Sequence, residues 1–261
     1  MRILLPPSEA KRAGGRGRSL ATRARREPID EVRRLTLDAL ARLLQSPDAA
    51  RALLLPPSLA QAAIAENRRV SNGPTMPAML RYAGVVYEGL AVQQLSPAAQ
   101  MVAGRQLLIF SGLFRVLAGR DPVPAYRVPA KAVLPGLGIA ATFWRPRLAE
   151  LLPDLLGRSG LIIDLRSTDY AAMWQPARLS RPAARLVNVR VQSVRPDGSV
   201  GVLSYQSKLA KGRLAAALLE CQAAGRPVRT LDELGAVWGE LGGRDAVAVP
   251  AGPGRGLDLY E

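Results

Sequence analysis

Six polar residues crowd one short stretch of this 261-residue chain: Ser111, Arg115, Arg120, Asp121, Tyr126 and Arg127. They follow the apolar run Leu107-Leu108-Ile109-Phe110, which reads as a buried strand ending at Ser111-Gly112, where glycine permits a turn that other residues resist. A second apolar run, Leu161 to Leu165, releases Arg166, Ser167, Asp169 and Tyr170 at its own carboxyl end. Two strand ends that present polar groups to one crevice are the usual seat of a site in an α/β sheet. Two chemistries compete for it. Asp169 beside Lys208 would make an acid/base pair, and Ser167 and Tyr170 would complete a polar pocket for a small nucleotide- or phosphate-containing substrate. Alternatively, the basic groups would hold the phosphates of a nucleic acid.

The charge favours the second. The chain carries 36 Lys and Arg against 21 Asp and Glu, a formal net charge of +15. The excess lies in blocks. Lys11 to Arg26 holds seven basic residues and no acid, Arg105 to Arg147 seven and one acid, and Arg178 to Arg226 nine and two acids. Blocks of one sign create a field that draws phosphates. Arginine-rich composition alone would give the total charge, and solvated surface loops would give part of the clustering.

Absences narrow the chemistry further. With no histidine, Ser-His-Asp and Cys-His catalysis and histidine-bound zinc or iron are excluded. The single cysteine, Cys221, lies in an Ala/Leu-rich helical run and reads as a small core residue rather than a peroxidatic thiol. No carboxylate cluster has metal-ligand spacing, so neither a metal nor a cofactor is expected. No apolar run reaches the roughly 18 residues of a membrane span, and the N-terminus meets Pro6-Pro7 too soon for a signal peptide, which makes a cytoplasmic protein without membrane contact the expectation.

The elements that must position these residues follow from pattern. Arg2 to Leu5 is a short strand, and residues 11–27 form a basic mobile loop. Pro28 fits the first turn of a helix, with Val32, Leu35, Ala39, Leu40, Leu43 and Leu44 as its apolar face. Leu113, Val116 and Leu117 share one face of a short helical turn. Tyr82 and Tyr87 read as core, and Gly84 and Gly89 mark close backbone approach. Ala184 to Val194 is a half-buried strand that returns through the turn Pro196-Asp197-Gly198-Ser199 to a partner at Val200 to Gln206. Ser207 caps a helix whose first two turns carry Lys208, Lys211 and Arg213, cations better explained by a bound anion than by the helix dipole. Residues 250–261 form a loose tail. The whole reads as a mixed α/β fold in one large domain of buried central strands and surrounding helices.

Five segments, taken in order, resemble the YaaA family of bacterial peroxide-stress proteins. They are LLPPSEAK at the start, AMLRYAGVVYEGL from Ala78, SGLFRVLAGRDPVPAYR from Ser111, IDLRSTDY from Ile163 and SKLAKG from Ser207. The resemblance implies a single α/β domain containing a helix-hairpin-helix-like element, binding of double-stranded or branched DNA in a basic cleft, and a role in limiting oxidative DNA damage. Carried onto this chain, it makes Ile109 to Leu117 the hairpin element. The backbone at Ser111 and Gly112, with Arg115, would meet phosphate there, and Lys11, Arg127, Lys208, Lys211 and Arg213 would line the cleft. Arg115 stands where the family motif has glycine, so it would either obstruct the backbone approach to a phosphate or replace it with a side-chain contact.

Overall fold

A computed structural model describes residues 1–23, 31–177, 180–194, 200–201, 204–251 and 254–260. Its framework is one eight-stranded sheet: β1 (Arg2–Leu5), β2 (Leu107–Ser111), β3 (Arg115–Ala118), β4 (Ile162–Asp164), β5 (Leu186–Val194), β6 (Val200–Gly201), β7 (Asp245–Pro250) and β8 (Arg255–Tyr260). The strand order is β7-β8-β5-β4-β1-β2-β3, with β6 added to β5. The five strands β8, β5, β4, β1 and β2 run parallel, whereas β3, β6 and β7 pair antiparallel with their neighbours. Parallel strands covered on both faces are continuously apolar, and that is why RILL and LLIF carry no alternation to read.

Each central strand divides its side chains between two cores. Ile3, Leu5, Leu107, Ile109, Ile163, Val187 and Val189 enter the larger, beneath helices α1 (Glu31–Leu43), α3 (Val85–Leu90), α4 (Pro97–Gln106), α6 (Ser204–Ala223) and α7 (Leu231–Glu240). Leu4, Leu108, Phe110, Ile162 and Leu186 enter the other, packed on Trp144, Leu148, Leu152 and Leu156 of α5 (Ala140–Leu156). Another helix, α2 (Pro57–Arg68), has proline at its first position. The mixed α/β reading holds. Tyr82, Tyr87 and Cys221 are buried as expected, and among the described residues no helix is long and apolar enough to cross a membrane.

Four expectations are corrected. Ile109 to Leu117 is a β-hairpin, β2 turning into β3 with Ile109 opposite Leu117, not a helical turn. Leu113 in the turn and Val116 and Leu117 in β3 are all buried, so the spacing arises without a helix. The C-terminal tail is β8, laid along β5 from Arg255 opposite Val187 to Tyr260 opposite Gln192. Two groups of contacts hold it: Leu257 and Leu259 are buried, and Arg190 grips Asp258 with both nitrogens at 2.6 and 2.9 Å.

The basic loop is fastened rather than mobile over its first part. Gly17 and Thr75 exchange backbone hydrogen bonds at 2.8 and 3.1 Å, and Arg12 N–H donates to the Arg81 carbonyl. Arg81 itself is fully buried; its guanidinium donates to the carbonyls of Arg12, Gly14, Pro74 and Val123. The chain then forms the short helix Leu20–Arg23. Residues 24–27 of the expected loop, Pro28 and the turn 196–199 lie outside the described residues. Finally, α6 starts at Ser204, so the buried Ser207 is inside the helix rather than its cap, and Lys208 moves out of the first turn.

Two glycines set how α3 meets α6. A Cβ on Gly89 would lie 2.1 Å from the Leu209 carbonyl oxygen, and one on Gly212 would lie 2.1 Å from that of Val86. Backbone therefore touches backbone where the helices cross. The closing glycine of SKLAKG and the glycine of YEGL are thus explained by packing.

Candidate functional site

The order β4-β1-β2 brings the carboxyl ends of three parallel strands together. The segments that leave those ends build the site. After β1 the chain turns through Pro6 to Ser8, whose carbonyl accepts from Lys11 Nζ at 2.9 Å. Tyr87 Oη fixes that turn by donating to the Pro6 carbonyl at 2.8 Å. Lys11 Nζ lies 4.5 Å from the centre of the Tyr126 ring and 5.4 Å from that of Tyr82. The lysine stem is half-exposed, but its amine end is enclosed by these rings.

At the end of β2, Ser111 is fully buried and accepts from the amides of Leu113 at 3.2 Å and Phe114 at 2.9 Å. Those bonds close the hairpin turn, so the two amides are occupied inside the protein. Trp144 Nε1 donates to the Gly112 carbonyl at 2.9 Å, and a Cβ at Gly112 would lie 2.5 Å from the Val128 carbonyl oxygen. Ser111 and Gly112 are therefore buried turn-building residues, and the amides of Leu113 and Phe114 are already taken. Arg115 occupies the left-handed region at φ +69°, where the family motif has glycine and no strain would arise.

Ser111 Oγ and Tyr82 Oη each lie 2.6 Å from Tyr126 Oη, giving an unbroken row of three buried hydroxyls beside Lys11. With two amides already donating to Ser111 Oγ, its proton points to Tyr126. Burial pushes the Tyr126 pKa up to about 12, even though its two hydroxyl neighbours favour the phenolate. Burial acts oppositely on the amine. It lowers Lys11 to about 7, with Arg127 and Arg81 adding to the fall and Glu9 and Glu66 opposing it.

That shift sets a pH dependence. Between about pH 7 and 10 the folded chain holds fewer protons at Lys11 than the unfolded chain does, so stability rises with pH across this window. Enclosing the protonated amine costs free energy, and the cost disappears as pH climbs. Lys211 is shifted down by burial in the same sense, so the difference between parent and variant isolates Lys11. Urea unfolding at pH 7 and pH 9.5 is expected to show the parent gaining more stability than Lys11→Met. Equal gains would mean that the amine is solvated.

At the end of β4 the polar residues lock one another. Arg166 Nε and Nη2 donate to Asp164 at 2.9 and 2.7 Å, and the guanidinium also reaches the carbonyls of Tyr170 and Trp174 while stacking 4.2 Å from the Phe110 ring centre. This pair forms one wall of a cavity of about 370 Å³ that Trp174, Gln175, Asn188 and Arg190 help to line. Asp169 pairs with Lys131 at 2.8 Å instead of with Lys208, and both partners are well exposed. Ser167 precedes the short helix Thr168–Ala171, and burial raises the pKa of Tyr170. Lys208 and Arg213 stand exposed on α6, whereas Lys211 is half-buried and within electrostatic reach of Asp164.

Sequence reading did not anticipate two features. One is the set of rings and hydroxyls around Lys11, which depends on residues far apart in the chain. The other is a cavity of about 440 Å³ lined by Arg12, Arg16, Arg120, Gln93 and an apolar floor of Met76, Pro77 and Leu80, with no acidic residue in its wall among the described residues. Gly15 and Gly17 give that cavity its shape, because a Cβ at either would collide with Thr75. Its signal was present in the acid-free block from Lys11 to Arg26.

Comparison with known proteins agrees with the five motifs. The model of a family described as "Peroxide stress protein YaaA" matches residues 1–237. A UPF0246 protein of Streptomyces coelicolor is 36% identical over 261 residues, covering 99% of this chain and 97% of the relative. Another, of Corynebacterium efficiens, is 39% identical over 84% of each chain, and a third, of Porphyromonas gingivalis, is 30% identical over 57% of this one. With both its length and its strand-end motifs matched, this chain belongs to the YaaA family of peroxide stress proteins.

Proposed function

We propose that this protein binds DNA through its phosphates, without reading sequence, and that this binding is its contribution to the peroxide-stress response. The observation that carries the reading is the arginine cavity of Arg12, Arg16 and Arg120, held in shape by the loop that Arg81 fastens. Preformed clusters of guanidinium groups suit phosphate oxygens, and phosphate contacts supply affinity without sequence information. Lys208 and Arg213 are exposed cations open to phosphate, and the partly buried Arg127 and Lys211 add positive charge. The hairpin at Ile109 to Leu117 takes no part as a backbone phosphate clamp in this reading.

Salt dependence tests it. Fluorescence anisotropy with duplex, four-way-junction and single-stranded DNA should give log affinity falling linearly with log salt, by about 0.9 per neutralised phosphate on duplex DNA. Arg16→Ala and Lys208→Ala, both solvent-facing, should each flatten the slope by about one unit and weaken all sequences alike. Binding no tighter than that of an unrelated protein of equal charge, or slopes indifferent to both variants, would sink the reading.

A second reading, an enzyme acting on a small nucleotide- or phosphate-containing substrate, has the 370 Å³ cavity beside Trp174 and the Asp164–Arg166 pair in its favour. The pairing of Asp169 with Lys131 removes the acid/base couple of Asp169 and Lys208 from it.

A further inference from the structure

We propose that Lys11 is a nucleophilic amine that condenses with small aldehydes or ketones at the carboxyl ends of β1 and β2, with Tyr126 as the proton donor. Geometry supports each part of this. The amine is anchored by the Ser8 carbonyl and set over two aromatic faces, and among the described residues no carboxylate forms an ion pair with it. The Tyr126 hydroxyl is flanked by those of Ser111 and Tyr82 at 2.6 Å, so a phenolate formed there would keep two hydrogen bonds. Glu9, whose carbonyl lies 3.5 Å from the amine, is exposed, and Lys11 itself is only partly buried. A phosphate-binding lysine needs none of this; it works best fully charged and hydrated. An enclosed lysine whose burial favours the neutral form is the arrangement that activates an amine.

The chemistry balances without a further reagent. The neutral amine nitrogen attacks the carbonyl carbon, a C–N bond forms, and the carbonyl π pair moves to oxygen, which takes the Tyr126 proton. The nitrogen returns a proton to the Tyr126 phenolate, giving the carbinolamine. Tyr126 then protonates its hydroxyl, which leaves as water as the nitrogen lone pair forms the C=N bond, and the remaining nitrogen proton goes back to Tyr126. The sum is amine plus carbonyl giving imine plus water, with no change in oxidation state. The proposal stands apart from DNA binding, since it concerns the uncharged form of a side chain that a phosphate site would use charged.

The chain has four lysines, Lys11, Lys131, Lys208 and Lys211, so reactivity at each can be read separately. The full-length protein is treated with glyoxylate and cyanoborohydride at pH 7, and adducts are mapped by peptide mass spectrometry. Half of an amine with pKa near 7 is neutral at that pH, against well under 1% of an ordinary lysine, so Lys11 should be labelled at least tenfold faster than the exposed Lys131 and Lys208. Its rate should level off above pH 7 while theirs keep rising. Tyr126→Phe should slow labelling at Lys11 alone, and Lys11→Arg should abolish it with folding retained by circular dichroism. Labelling of Lys11 no faster than of Lys208 overturns the nucleophile, and an unchanged rate in Tyr126→Phe overturns the proton donor.

Discussion

Gly212→Ala is expected to destabilise the protein by about 3 kcal/mol or more, at the upper end of what overpacking costs. The added methyl would sit 2.1 Å from the Val86 carbonyl oxygen and 2.6 Å from the Leu90 amide nitrogen, both backbone atoms of α3 that no rotamer change can move. Relief requires α3 and α6 to separate along their closest crossing. That opens the larger core at Val86, Leu90, Leu214 and Leu218. For a chain of this size the melting temperature should fall by roughly 6–12 °C. Gly239→Ala supplies the control, because nothing lies within 4 Å of its missing Cβ and it is in the last turn of α7. There the change should be neutral or stabilising by up to about 1 kcal/mol. Similar thermal shifts for the two variants would show that the crossing tolerates a methyl.

Arg81→Met is the second large effect. The guanidinium is the common partner of four carbonyl oxygens that come from the basic loop, from Pro74 and from Val123. Methionine fills the stem volume but donates nothing, so buried acceptors lose their charged donor at a total cost of about 3–5 kcal/mol. The loss is local as well as global. Residues 12 to 17 should detach from the Thr75 segment, and the arginine cavity should lose its wall. Trypsin at low dose reads this directly: cleavage after Arg16 and Arg18 should accelerate at least tenfold over the parent. Unchanged cleavage with lowered stability would mean that the loop is held by its backbone bonds alone.

The sequence made the centre of the fold legible and its margins much less so. Runs such as RILL, LLIF and LIIDL announce buried strands because nothing else needs so many adjacent apolar residues between glycines and prolines. The crevice at their carboxyl ends followed from that. Leu113 misled because it lies in the hairpin turn rather than in a helix, so its helical spacing to Val116 and Leu117 of β3 was accidental. β8 was hidden behind AGPGRG, whose composition signals a loop right up to the first paired residue. The loop after β1 looked solvated because its fastener, Arg81, was one more arginine among many, and burial of a charge cannot be read from composition. Lys11 was legible as a candidate but not as an enclosed amine. Its environment is made by Tyr82 and Tyr126, which only the tertiary fold brings near.

The burial of Cys221 bears on how such a protein meets an oxidant. Peroxide attacks accessible thiolates first, and the only thiol here is packed in the larger core on α6. The most accessible sulfur in the described chain belongs instead to Met101, 66% exposed on α4, where a sulfoxide would project into water and disturb no packing. Oxidation up to that point leaves both cores and the strand-end residues chemically unaltered. The sulfur most open to an oxidant is therefore one whose oxidation the fold can absorb.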